Sequence, residues 1–262
     1  MHVPRTVPRG WMACKLRSTG AGLPVNYAMA FSFASPLDHV ADLDRIDVPV
    51  PAIPVPASTV VTRTQRDPVP LVRDPAPMLE RIRRDIEGAP EVWVFGYASL
   101  IWRPEFEAAE KQPATVFGYH RALQMKSRVN RGTPECPGLV FGLVNGGSCR
   151  GMAYRIERSR VDQELDRLWV REMPTGVYDP KWLPCRTPSG IVPALAFTLS
   201  RSSPNYTGDL DDQRMIDILG SACGRFGRTL DYLRDTATSL RSCGICDREV
   251  ERLVKLAQRA GL

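Results

Sequence analysis

Leu79, Ile82 and Ile86 recur three and four positions apart and Gly88 follows them, which predicts a short amphipathic helix over 78–87. Val92-Trp93-Val94-Phe95 is instead an unbroken apolar run of β-forming residues. It predicts a buried strand ending at Gly96-Tyr97. Similar runs predict strands at 114–119, 139–144, 151–156 and 191–199, with turn-rich pieces Arg131-Gly132-Thr133-Pro134 and Asn145-Gly146-Gly147 between them. Val161, Leu165, Leu168 and Trp169 share one face of a helix over about 159–170. Three further helical stretches follow, near 211–223, 227–240 and 247–259. Strands come early and helices cluster late. That order predicts an α+β fold, a small mixed, largely antiparallel β-barrel or sheet with surrounding helices, and speaks against a doubly wound sheet.

The first third of the chain breaks this pattern. Twelve of the 23 prolines fall within residues 1–77, including Val48-Pro49-Val50-Pro51-Ala52-Ile53-Pro54-Val55-Pro56. Proline removes backbone donors and blocks helix and central strand alike. Residues 1–76 therefore read as a disordered or extended leader, and residues 77–262 as one folded domain. The stretch 18–37 loosely imitates a signal peptide, but Gly20, Gly22, Pro24 and Asn26 interrupt it. No run of 18 apolar residues exists, so no membrane span is expected.

The formal net charge of +6 is spread over the chain without a dense basic block, so nucleic acid is not an expected partner. Seven scattered cysteines in 262 residues do not resemble a secreted disulfide scaffold, and a reducing cytoplasm is expected. Oligomeric state is not legible. The chain lacks a phosphate-binding glycine loop, a dinucleotide fingerprint, a His-Glu-x-x-His zinc motif and a Gly-x-Ser-x-Gly elbow. Of three histidines, only His120 lies in the expected domain, and a structural role is expected for it. Cys243-Gly244-Ile245-Cys246 has the spacing of a metal or redox pair, but no second pair stands at finger spacing. It reads as a turn between two late helices. No metal and no cofactor are expected.

The segment Val92-Trp93-Val94-Phe95-Gly96-Tyr97-Ala98-Ser99-Leu100-Ile101-Trp102-Arg103-Pro104 runs from strand into a loop of small residues. Gly96, Ala98 and Ser99 leave main-chain amides open, which suits an anionic or zwitterionic head group and equally suits a plain turn. This segment resembles the Phe-Gly-Tyr-Gly-Ser-Leu-Ile-Trp signature of the ChaC branch of the γ-glutamylcyclotransferases. Further similar blocks follow in the same order. They are Asn130-Arg131-Gly132-Thr133-Pro134-Glu135-Cys136-Pro137-Gly138, Arg150-Gly151-Met152-Ala153-Tyr154-Arg155 and Leu168-Trp169-Val170-Arg171-Glu172. After these come Ser203-Pro204-Asn205-Tyr206-Thr207-Gly208 and Gly224-Arg225-Phe226-Gly227-Arg228-Thr229-Leu230-Asp231-Tyr232-Leu233. The likeness covers about residues 90–257. Two positions depart from it: Ala98 stands where the family has glycine, and Trp169 where it has aspartate.

The resemblance implies cleavage of a γ-glutamyl amide, in this branch glutathione, to 5-oxoproline and Cys-Gly. The substrate's own α-amine would be the nucleophile, so one carboxylate could serve as base and then acid. The resemblance assigns that carboxylate to Glu172. It assigns substrate binding to Phe95, Gly96, Tyr97, Ala98, Ser99 and Leu100, with Tyr206 as a further lining residue. Arg131 is either structural or an attractor of the anionic substrate. Ala98 keeps open a cyclotransferase for other γ-glutamyl amines, and the leader keeps open a non-catalytic binding module on the same scaffold.

Overall fold

A computed structural model describes residues 72–262, so the leader and its signal-like stretch lie outside the described residues. Five strands close a barrel: β1 (Glu91–Gly96), β2 (Glu110–Ser127), β3 (Gly138–Glu157), β4 (Asp179–Thr187) and β5 (Gly190–Leu199). Their order is β1-β3-β2-β4-β5, and β5 returns to β1 in parallel at Trp93–Ala194 and Val94–Leu195. The β1–β3, β2–β3, β2–β4 and β4–β5 ladders are antiparallel. The barrel is thus mixed and largely antiparallel, as expected. Among the described residues, six helices surround it: α1 (Ala76–Asp85), α2 (Ser99–Trp102), α3 (Arg158–Glu172), α4 (Asp212–Ser221), α5 (Thr229–Ser242) and α6 (Arg248–Arg259). No helix among the described residues is long and apolar enough to cross a membrane.

The unbroken apolar run of β1 has a simple cause. Val94 and Phe95 are neighbours that point to opposite faces, and neither has any exposed surface. One side faces the barrel interior and the other lies under helices, so both must be apolar.

Three sequence expectations need correction. The strands expected at 139–144 and 151–156 are one strand, β3. Gly146 and Gly147 take φ of 109° and 72°, which lets the chain deviate at Asn145-Gly146-Gly147 without leaving the ladder with β2. The strand expected at 114–119 is the middle of the much longer β2. The expectation missed β4 because Pro180 and Pro184 remove two donors from nine residues. That loss is tolerated because β2 bonds β4 only at Thr115–Arg186 and Val116–Cys185, which leaves the Pro180 end as an edge. Between α4 and α5 a small hairpin, β6 (Cys223–Gly224) and β7 (Gly227–Arg228), also went unread.

Ahead of α1, the chain is already docked. The Val72 amide donates to the Thr175 carbonyl at 2.8 Å. Arg73 bonds the carbonyls of Gly176 (3.0 Å) and Tyr178 (2.8 Å) and pairs with Asp179 (2.7 Å). Gly176 takes a φ of 64°, and a Cβ there would lie 2.1 Å from the Arg73 carbonyl oxygen, so only glycine fits under this strap. His120 bonds the Gly146 carbonyl at 2.9 Å and so helps pin the β3 irregularity. Cys243-Gly244-Ile245-Cys246 ends α5. Gly244 takes φ 67° and the Ile245 amide returns to Leu240 at 2.9 Å, a glycine-dependent helix stop.

Candidate active site

The end of β1, the start of α2 and the end of α3 meet in a small cleft. It is lined by Tyr97, Ala98, Ser99, Leu100 and Glu172, with Phe141, Tyr178, Phe197 and Tyr232 completing the walls. Three of the ordered blocks, those that hold residues 97–100, Glu172 and Tyr232, therefore converge on one place.

The loop is held through its carbonyls. Tyr97 O accepts from Arg121 Nε, Ala98 O from the Ile101 amide (2.9 Å), Ser99 O from the Arg103 amide (2.8 Å) and Leu100 O from Tyr154 Oη (3.0 Å). All four acceptors are thus occupied. The amides of Ser99 and Leu100 sit in the first turn of α2, where no intrahelical acceptor exists for them. The loop consequently turns a donor-rich edge to whatever fills the cleft. Gly96 is required at its root, since a Cβ would stand 2.9 Å from Tyr154 Cε2 and 3.1 Å from Leu100 Cβ. Ala98 has a φ of −143°, so alanine there carries no left-handed strain, and it lies in the cleft lining.

Arg121 is the buried anchor of this arrangement. Its side chain has no exposed surface, it pairs with Asp247, and it donates to Arg150 O at 2.5 Å. Asp247 also caps α6 by accepting the amides of Glu249 and Val250, each at 3.1 Å. One ion pair thereby ties loop, barrel and last helix together.

Glu172 is the last residue of α3, and its side chain keeps only 14 % of its exposure. Burial pushes its carboxyl above the ordinary carboxylate value. Arg171 opposes that shift through charge and a 2.7 Å hydrogen bond, and Glu105 adds to it. Arg171 is held in turn by Glu105 (2.9 Å), Ser99 Oγ (3.1 Å) and the Arg103 carbonyl, so the charged pair is fixed to the loop. Three phenols stand around the carboxylate. Burial is the main cause that raises all of them, Tyr97 and Tyr178 well above the usual value and Tyr232 to about 12. They are neutral hydrogen-bonding groups at physiological pH. Tyr97 Oη donates to Phe197 O at 2.9 Å, and Tyr232 Oη accepts the Phe141 amide at 3.2 Å.

Comparison with known proteins fits this geometry. The family model described as ChaC-like protein matches residues 92–260. The chain belongs to the ChaC-like family. Among ChaC-like relatives, the glutathione-specific gamma-glutamylcyclotransferase of Escherichia coli is 36% identical over 157 residues, 60% of this chain and 68% of that protein. The human glutathione-specific gamma-glutamylcyclotransferase 1 is 32% identical over 181 residues, 67% of this chain and 81% of that protein. A crystal structure of the gamma glutamyl cyclotransferase specific to glutathione from yeast shares the ChaC-like fold. Its TM-score is 0.59 at 19% identity, covering 65% of this chain and 96% of that one.

Within this ChaC-like site, the structure brings Tyr97, Ala98, Ser99 and Leu100 to Glu172. Phe95 and Gly96 lie just behind, in β1, and support the loop from the barrel. Tyr206 sits on the loop after β5, bridged to Met125 of β2, and is not among the residues lining the cleft. Arg131 lies with its guanidinium 5.1 Å from the Tyr232 ring centre and donates to Arg228 O. Sequence reasoning missed Tyr178 and Tyr232. Tyr232 was visible inside the block Asp231-Tyr232-Leu233, whereas Tyr178 belongs to none of the similar blocks.

Proposed function

We propose that this chain is a γ-glutamylcyclotransferase that cleaves glutathione to 5-oxoproline and Cys-Gly, with Glu172 as the proton carrier. The observation that carries this reading is a mostly buried carboxylate lining the same cleft as a loop whose carbonyls from Tyr97 to Leu100 are all bonded within the protein. The γ-glutamyl group would bind along residues 97–100, its α-carboxylate on the amides and its α-ammonium towards Glu172.

Glu172 takes a proton from the α-ammonium, and the freed amine attacks the γ-carbonyl carbon. A new C–N bond closes the five-membered ring, and the amide C–N bond to cysteine breaks. Glu172 returns its proton to the leaving nitrogen, and the second hydrogen of the ring nitrogen passes to the released amine, which leaves as an ammonium, so no water is consumed and the carboxylate ends as it began. A carboxyl raised by burial is suited to both transfers. Confinement replaces an enzyme nucleophile, because holding amine and carbonyl in attack geometry removes the entropy of bringing them together. Loop amides and the Tyr232 phenol, whose oxygen accepts from the Phe141 amide and keeps its own hydrogen, supply donors for the oxyanion that develops on the γ-carbonyl oxygen. Arg171 keeps the Glu172 carboxylate oriented between turnovers.

The test is direct. The purified chain, incubated with glutathione, releases 5-oxoproline and Cys-Gly in equal amounts, and Glu172→Gln slows both by about 10²–10⁴-fold. Turnover of γ-glutamyl-alanine or γ-glutamyl-lysine at a rate matching glutathione would replace the glutathione assignment with a broader cyclotransferase. Full activity in Glu172→Gln would remove that residue from the mechanism.

A further inference from the structure

At the rim of the cleft stands a feature that the proton transfers do not use. The β6–β7 hairpin carries Arg225 and Phe226 at its tip, and Phe226 is one of few large apolar residues left open, at 46% exposure. The tip is nonetheless built rigidly. The amides of Arg225 and Phe226 donate to Val129 O and Asn130 O, each at 2.9 Å, and Arg225 Nε donates to Asn130 Oδ1 at 2.8 Å. Behind it, Gly224 lies so near Gly132 that a Cβ would come within 2.5 Å of the Gly132 nitrogen.

Two guanidiniums already meet that ring. Arg225 lies 4.5 Å and Arg103 5.4 Å from its centre. Arg103 immediately follows α2, and its carbonyl accepts from Arg171, the residue bonded to Glu172. A third guanidinium, Arg131, lies against the Tyr232 ring that lines the cleft, and the positive charge of Arg103 acts on it. Arg103 is paired with the Glu105 carboxylate at 2.5 Å and Arg131 feels the carboxylates of Asp235 and Asp231, whereas Arg225 directs its hydrogen bond to a neutral oxygen, Asn130 Oδ1, so its charge remains available to an anion.

We propose that Arg225 and Phe226 form the platform that receives the C-terminal carboxylate of the leaving peptide, with Arg103, itself paired to Glu105, steadying the ring. The chain would then select γ-glutamyl peptides with a free terminal carboxylate over γ-glutamyl amines with neutral or cationic tails. This rests on the cyclotransferase reading above, which places the γ-glutamyl end at Glu172 and so directs the rest of the substrate outward to the rim. Guanidinium is the group best matched to a carboxylate, because two parallel N–H donors meet its two oxygens. The Phe226 face would cover the aliphatic part of the same peptide.

The experiment compares glutathione with its C-terminal amide, which differs only in that charge. Binding is measured by calorimetry on the full chain carrying Glu172→Gln, with and without Arg225→Gln. We expect glutathione to bind about tenfold more tightly than the amide, and Arg225→Gln to reduce that ratio below about twofold by weakening glutathione alone. Arg225→Lys, which keeps the charge, should restore part of the preference, an outcome that a purely structural role on Asn130 would not give. In enzyme with Glu172 intact, Arg225→Gln should raise KM for glutathione about tenfold and leave kcat within about twofold. Equal binding of acid and amide by the parent protein, absence of binding to both, or equal weakening of both by Arg225→Gln would overturn the platform. If no 5-oxoproline forms from either compound, the reaction assignment fails, while the acid-to-amide ratio still judges the platform.

Discussion

The loop wall of the cleft is fastened by side chains of the barrel strands, Arg121 on β2 and Tyr154 on β3, whereas the wall carrying Glu172 is fastened by a segment ahead of the matched family region. On the first wall every carbonyl from Tyr97 to Leu100 has a donor. On the second, Arg73 clasps the chain that follows Glu172, and Trp169 Nε1 donates to Pro75 O at 3.0 Å. Trp169 stands where the resembling families carry aspartate, and this contact gives it a partner in the strap. The difference has a physical reading. The loop must present fixed amides to a substrate, so it is built into the core. Glu172 must exchange protons, and a helix end braced by a half-exposed arginine supplies position without closing it off.

The sharpest way to separate the walls is Glu172→Gln. Activity should fall by about 10²–10⁴-fold, the usual worth of a positioned acid–base group. Stability should move the other way. Burial raises the folded-state pKa of Glu172 above the ordinary 4.5, so its contribution to folding is fully present below that value. The contribution is lost as pH rises through the folded value. The glutamine variant should therefore melt at the same temperature as the parent or higher at pH 7–8, with the gap closing towards pH 4.5. In the parent, kcat should fall on the acid side with a midpoint above 4.5. A variant that loses stability in parallel with activity would show that Glu172 is structural.

Arg121→Met tests the first wall. It leaves the Asp247 carboxylate without its buried partner and frees the Tyr97 and Arg150 carbonyls. Breaking a buried pair this way costs about 3–5 kcal/mol, read from denaturant unfolding. Combining it with Asp247→Asn should recover part of that loss, because the stranded charge is gone. A cost below about 1 kcal/mol would mean that the loop is not fastened from β2.

Arg73→Ala tests the second wall. Its side chain is 44% exposed, so solvent screens the pair with Asp179, and the loss should be about 1–2 kcal/mol. Because the strap grips the chain that directly follows Glu172, kcat should fall while KM stays near the parent value. A rise in KM with unchanged kcat would show that the strap serves substrate binding instead.

The same contrast explains what could be read from the sequence. β1, the loop, α3 and Glu172 were legible because local pattern and the ordered blocks coincide there. The anchor Arg121 was not, since its partners Tyr97, Arg150 and Asp247 lie 24 to 126 positions away and meet only after the barrel closes. Tyr178 and β4 were hidden for a related reason. Their neighbours are set by cross-strand register, and two prolines mask the alternation that Leu183, Cys185 and Thr187 otherwise show. The strap of residues 72–75 read as the end of a proline-rich leader, because its hydrogen bonds use carbonyls of a segment a hundred residues away.

The finest comparison is Tyr154→Phe, which removes a single hydroxyl from the first wall. The ring keeps its edge contact with Phe106 at 5.4 Å and its place against Gly96, so packing is conserved. What is lost is the 3.0 Å hydrogen bond to Leu100 O, worth about 1 kcal/mol net. The carbonyl left behind no longer holds the far end of the loop, and the amides of Ser99 and Leu100 gain freedom that substrate must then remove. Ordering paid at binding appears in KM, so KM should rise about three- to fivefold with kcat within about twofold of the parent. Glu172 and Arg171 touch Ser99 and Arg103 rather than Leu100, so the proton carrier keeps its position in this variant. An equal fall in kcat would mean that the two walls move as one body, and that fastening them separately has no kinetic consequence.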